Sequence, residues 1–141
     1  MEVEIRRLGP ADEETVNAAG ALFDNPPKAE ATRRFLAEPT HHLLMAFDSA
    51  GTAIGFTSGV ETTHPDKGTE MFLYELSVDP AFRRRGLGRH LVEALAELAH
   101  TRGNYDMWVL ADDDNEAARA TYARAGGREA SRPTMIEWNL P

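Results

Sequence analysis

The stretch FRRRGLGRHL at residues 82–91 sets three consecutive arginines in front of two glycines, and the apolar stripe of a helix begins immediately behind them. A helix start leaves its first N–H groups without partners inside the helix. The aligned peptide dipoles add about half a positive charge there, which suits the place to an anion. Glycine at 86 and 88 removes the Cβ atoms that would hold an anion off the backbone, and the arginines put positive charge on the rim. The spacing is neither the three-glycine dinucleotide pattern nor the Gly-Lys-Ser/Thr phosphate loop. Taken alone, the residues fit either a phosphate cradle or a solvated basic helix start.

Other reactive residue types narrow the chemistry. With no cysteine the chain has no thiol nucleophile, disulfide or thiolate metal site. Its five histidines, at 41, 42, 64, 90 and 100, show no ligand spacing, so no metal is expected and solvated imidazoles are. DDDN at 112–115 reads as an acidic helix cap that also ends a strand. Trp108 and Met107 read as sheet core.

These residues need positioning. EVEIRRL alternates as a first strand; residues 12–23 read as a helix with acids in its first turn, and a second helix runs from 27 or 28 to 38, stopped by Pro39. HLLMAFD and TAIGFTSGV read as a hairpin, THPDKGT as a loop, and EMFLYELSV as the most strongly strand-like run. Leu87, Leu91, Leu95, Leu98 and Ala99 recur at helical spacing, with Gly103 as the C-terminal stop. YDMWVLA is a further strand, NEAARATYARA a helix closed by Gly126 and Gly127, and TMIEWNL a final strand. The crossover within residues 70–111 is long enough to force parallel pairing. The expected fold class is α/β (α+β): a mixed central sheet of six to seven strands, about four helices on both faces, and one domain over residues 1–141.

At 141 residues and 42% apolar composition, the chain suits one core and one site. A formal charge of -8 argues against nonspecific nucleic-acid binding and favours a cationic partner or simple solubility. The N-terminal MEVEIRRLGP has no apolar leader pattern, and no run is long enough for a membrane span. The expectation is a cytoplasmic protein, with no membrane partner.

Arg83-x-x-Gly86-x-Gly88 after a strand ending LSV, followed by helix, strand and NEAARATYARAGG, resembles the GNAT superfamily of N-acetyltransferases. The resemblance implies acetyl-CoA as cosubstrate, with its diphosphate on the backbone of Arg83, Arg84, Arg85, Gly86, Leu87, Gly88 and Arg89. It implies splayed parallel central strands, a bulge near ELSV, and backbone groups of Leu76, Ser77 and Val78 that pair with the pantetheine arm. Asn115, which starts the following helix, and Tyr122 are implied to bind the coenzyme, with Tyr122 by family position near the sulfur as general acid. Glu75, which strict alternation places on one face with Met71 and Leu73, is the candidate base, directly or through water, or else a salt-bridged or solvent-facing strand residue.

HLLMAFDSAGTAIGF, ELSVDPAFRRRGLG and ADDDNEAARATYARAGGREA with IEWNL look most similar to the aminoglycoside 3-N-acetyltransferase branch. That implies a small cationic amine acceptor held by Asp112, Asp113, Asp114, Glu61 and Glu137. Alternatives are another amine acceptor, such as a peptide N-terminus, an amino acid or a polyamine, and a non-catalytic acyl-CoA-binding module. A carboxylate-bearing acceptor would call for an exposed arginine such as Arg33 or Arg34. Family habit also makes a homodimer possible, through exchange or pairing of the C-terminal strand.

Overall fold

The alternating runs become antiparallel neighbours: β1 Glu4–Arg7, β2 His41–Phe47, β3 Ala53–His64 and β4 Gly68–Val78 pair in chain order. This is a computed structural model describing residues 2–141. β5 Met107–Trp108 adds to β4 in parallel, through Met71 with Met107 and Phe72 with Trp108.

Helices cover both faces of this mixed sheet. α1 Glu13–Ala18 and α2 Ala29–Ala37 close one face over Leu8, Val16, Leu36, Met45, Phe47 and Phe56. α3 Leu87–Thr101 covers the other, its Leu91, Val92 and Leu95 packed on Leu44, Ala46, Ile54, Met71 and Leu73. Gly55 and Gly59 of β3 let α3 lie that close: a Cβ on Gly59 would stand 2.9 Å from the Met71 sulfur and 3.0 Å from Leu95 methyls. α4 Glu116–Arg124 rests Tyr122 and Ala125 against the same core.

Two stops follow the sequence pattern. Gly103 adopts φ 79° and Asn104 N–H reaches back to Ala99 O at 2.9 Å, closing α3. Gly126 adopts φ 96° and Gly127 N–H returns to Tyr122 O at 2.9 Å, closing α4.

Several expectations need correction. The helix expected over 12–23 is short, flanked by 3-10 turns at Pro10–Asp12 and Gly20–Leu22. THPDKGT is largely strand, because β3 and β4 stay paired out to His64 and Gly68. The sheet has five strands rather than six to seven. YDMWVLA contributes only Met107–Trp108, and TMIEWNL forms no strand. A strand needs a neighbour for its backbone groups, and a two-residue β5 offers almost no ladder to the tail. Met135, Ile136, Trp138 and Leu140 are accordingly exposed. Trp108 stands 40% exposed at the sheet edge, stacked on Phe72, and is not core.

Candidate active site

The site is built around a break in β4. Ser58 pairs with Glu75 but Gly59 pairs with Leu73, so Tyr74 is an extra residue on β4, a bulge. The backbone records the flip. Met71 N–H points outward to Asp106 O at 3.0 Å, whereas Asp79 N–H points inward to Ile54 O at 2.9 Å. Residues eight apart in an unbroken strand would point the same way. Alternation back from Asp79 therefore turns the N–H groups of Leu76 and Val78 outward, toward an edge that β5 leaves unpaired after Phe72.

The bulge also corrects the face assigned to Glu75. Met71 and Leu73 face α3, as Leu76 and Val78 do, but Glu75 faces the opposite side. Buried Ser58 donates to Glu75 Oε1 at 3.0 Å, and Thr57 Oγ1 donates to Glu75 O at 2.8 Å. Ser77, on that side too, donates to Leu22 O at 2.7 Å and ties β4 to the turn after α1.

The open edge leads to the arginine turn. Asp79 caps a 3-10 turn at Pro80–Phe82 through Ala81 N–H at 2.9 Å; Arg84 then takes φ 63° and Gly86 φ 79°. Gly86 is the N-cap of α3 without a side-chain cap, and a Cβ built on it meets nothing within 4 Å. Left-handed residues alternating with ordinary ones turn successive N–H groups into one concavity, the backbone arrangement that holds phosphate oxygens. Gly88 behaves otherwise: its Cβ would lie 3.3 Å from Thr121 Cγ2, so this glycine admits α4 rather than a ligand.

The arginines divide. Arg83 Nε donates to Val78 O at 3.3 Å, Arg85 lies 5.5 Å from the Phe82 ring centroid, and Arg89 pairs with Glu93 at 3.3 Å. Arg84 is exposed.

Tyr122 reaches the same region from α4, packed with Leu76 and Val92 in one cluster. Burial pushes its phenol above its ordinary pKa, so it stays protonated through neutral pH. Among the described residues its hydroxyl bonds to no protein group, yet it is not sealed off. Asn115 starts α4, its Oδ1 accepting Ala118 N–H at 3.1 Å.

The acidic candidates do not assemble. Asp112, Asp113 and Asp114 are exposed in the turn into α4, where Arg119 Nη1 donates to Asp113 O at 2.8 Å. Glu137 stands on the unpaired tail, with no bond tying it to them among the described residues. Arg33 is held by Glu13 at 3.1 Å.

Glu61 stands apart from these acids, inside a network of the protein's own groups. Its side chain is 5% exposed and accepts from His42 Nε2 at 2.6 Å, from Asn104 Nδ2 at 3.0 Å and from Arg102. Arg7 Nε donates to His42 Nδ1 at 3.0 Å, so the proton of this fully buried imidazole sits on Nε2. The network pins the C-terminal end of α3 to β2 and β3. His42 thus departs from the expected solvated state, and His64 does so too, bonded to Glu70 at 3.0 Å. The partners of His42 lie 35 and 19 residues away in the chain and left no local signal.

Residues 12–127 match the family described as the acetyltransferase (GNAT) family, and the chain belongs to it. It is 34% identical over 103 residues to N-alpha-acetyltransferase RimI of Mycobacterium tuberculosis, covering 73% of this chain and 62% of that protein. It is 44% identical over 62 residues to the [ribosomal protein bS18]-alanine N-acetyltransferase of Salmonella typhimurium, 44% of this chain and 42% of that one. The matched stretch thus spans less than two thirds of either relative.

Among solved structures, an aminoglycoside acetyltransferase from an uncultured soil metagenomic sample superposes with TM-score 0.81 at 29% identity, covering 99% of this chain and 100% of that one. AAC(6')-Iy in complex with a CoA-S-monomethyl-acetylneamine bisubstrate analogue superposes with TM-score 0.84 at 20% identity over 99% and 100%, a likeness of fold. No helix of the described residues is long and apolar enough to cross a membrane.

Proposed function

We propose that the protein transfers an acetyl group from acetyl-CoA to a primary amine, by direct attack of the amine within a ternary complex. The observation that carries this is the continuity of the outward Leu76 and Val78 N–H groups with the uncapped, left-handed helix start at Gly86. These residues fit the cosubstrate: an open strand edge suits an extended amide-bearing arm, and a concavity of N–H groups suits a diphosphate. When bound, acetyl-CoA supplies the activated acyl thioester.

Each chain group then has one task. The backbone of residues 83–89 holds the diphosphate, with Arg84 and Arg85 adding charge at the rim. Ser77 fixes the strand to the turn at Leu22. Leu76 N–H points at the carbonyl oxygen and stabilises the charge that grows there. Glu75, on the far face and held by Ser58, takes a proton from the amine directly or through water. Tyr122 gives its proton to the departing thiolate.

The acceptor we favour is a ring-based polyamine of the aminoglycoside kind, modified at the 3-amino group that the sequence resemblance suggests. The metagenomic aminoglycoside acetyltransferase at 29% identity supports that class of acceptor. A second reading, acetylation of a peptide N-terminus, is favoured by the relatives named as alanine and N-alpha-acetyltransferases. Thiol release from acetyl-CoA with gentamicin, kanamycin, spermidine, lysine and an alanyl peptide tests both. Saturable release with ring polyamines, and acetylation mapped to the 3-amino group, support the first; release with the peptide alone supports the second. Tight coenzyme binding with no release from any acceptor would leave a binding module instead of an enzyme.

A further inference from the structure

The bulge has a second effect, on Tyr74. Phe72 and Trp108, paired across β4 and β5, stack with ring centroids 4.3 Å apart, and Tyr74 meets Phe72 edge-on at 5.6 Å. Tyr74 is 66% exposed. Phe72 pairs with Val60 and Glu75 with Ser58, both on the face of β3 that Phe56 turns toward α1 and α2. Tyr74 and Glu75, adjacent in the chain, therefore stand side by side on one face, which an unbulged strand forbids.

The result is an open row of three aromatic rings ending at the carboxylate of Glu75. At the other end of the same face Glu70 accepts from His64 at 3.0 Å and from Tyr105 at 2.9 Å. The apolar residues of α1 and α2 pack over β2 and β3, leaving this stretch of β4 and β5 uncovered. Exposed aromatic rings that continue directly into a reactive centre form a surface for what reacts there.

We propose that Phe72, Tyr74 and Trp108 form the acceptor wall of the transfer site and select amines carried on a flat-faced ring scaffold over open-chain amines. The proposal rests on the acetyl-transfer reading. Aromatic faces attract ammonium groups and pack against the flat side of a ring. Carboxylates at both ends of the row match an acceptor with more than one ammonium. An open-chain polyamine laid along the wall loses rotamer freedom that a ring has already given up. From Phe72 to Glu75 the row runs roughly 10 Å at the usual strand rise.

Initial rates at saturating acetyl-CoA, for wild type, Tyr74→Ala and Tyr74→Phe with kanamycin and with spermidine, test the wall. The expected result is a kanamycin KM about tenfold higher in Tyr74→Ala. Tyr74→Phe should restore it, while kcat and the acetyl-CoA KM stay within twofold and the spermidine KM rises by clearly less than the kanamycin KM. An equal effect on both amines, or none, overturns the proposal. If wild type acetylates neither amine, the acetyl-transfer reading fails for them, and calorimetry of kanamycin with the CoA-saturated protein decides the wall alone. Binding weakened about tenfold by Tyr74→Ala sustains it, and absence of binding to wild type overturns it. Kanamycin affinity that rises on Trp138→Ala would make the exposed C-terminal tail the occupant and overturn it as well.

Discussion

Gly86 offers the sharpest separation of ligand binding from folding. Its φ of 79° lies in the left-handed region, where a side chain costs about 1 kcal/mol, and the space around its absent Cβ is open. Gly86→Ala should therefore lower Tm by about 4 °C without a clash. Gly126→Ala is the matched control, because Gly126 has φ 96° and equally open surroundings at the far end of α4. Only at position 86 does the new Cβ intrude on the proposed diphosphate, so coenzyme affinity should fall about tenfold there and not at 126. Gly86→Asp carries the same backbone strain and adds a negative charge. At roughly 5 Å from the diphosphate, with effective dielectric between water and a protein surface, the repulsion is about 1 to 3 kcal/mol. That is roughly five- to 150-fold weaker binding than Gly86→Ala shows. Calorimetric titration with CoA, alongside thermal unfolding, reads both quantities. Wild-type affinity in Gly86→Asp would remove the cradle from this turn.

Other expectations concern chemistry and stability. Tyr122→Phe should lower kcat about tenfold or more with little change in the acetyl-CoA KM, and an unchanged kcat would reduce Tyr122 to a packing residue. Because burial raises its pKa, wild-type kcat should show no alkaline loss attributable to this phenol near neutral pH. Glu75→Gln should lower kcat about tenfold or more, and an unchanged kcat points to another base. For stability, burial holds the His42 pKa below 6.5, so an unfolded chain takes up protons that the folded one refuses. The stability of the neutral form is complete above about pH 6.5 and declines as pH falls toward the folded value. Burial alone would raise the Glu61 carboxyl, but hydrogen bonds from Asn104, His42 and Arg102 outweigh it, adding a loss of the same sign as pH falls below its ordinary value of 4.5. Urea unfolding from pH 7.5 to 5.5 should show this decline in wild type and a flatter profile in a less stable His42→Gln. Parallel profiles would mean that His42 is not the titrating group.

Sequence alone determined the elements whose signal is local. The 3.6-residue spacing from Leu87 to Leu98, the αL stop at Gly103, the Asn115 cap and the closing Gly126 and Gly127 are all written within one or two turns of chain. The phosphate-binding reading of RRRGLG came from the same short range, together with the resemblance of the segment around it. What only tertiary structure decided depends on partners far away in the chain. The bulge exists because β3 and β4 slip by one residue between Ser58 and Gly59, and that slip moves Glu75 to the face opposite Met71 and Leu73. Strict alternation could not show it, because side-chain direction has period two and one inserted residue inverts everything beyond it. The sequence resemblance groups Glu61 with the acceptor's carboxylates, whereas in the fold His42, Arg102 and Asn104 converge on it from two other segments. The tail TMIEWNL has a strand pattern but no strand, since a pattern supplies one buried face and a strand also needs a neighbour to receive its hydrogen bonds.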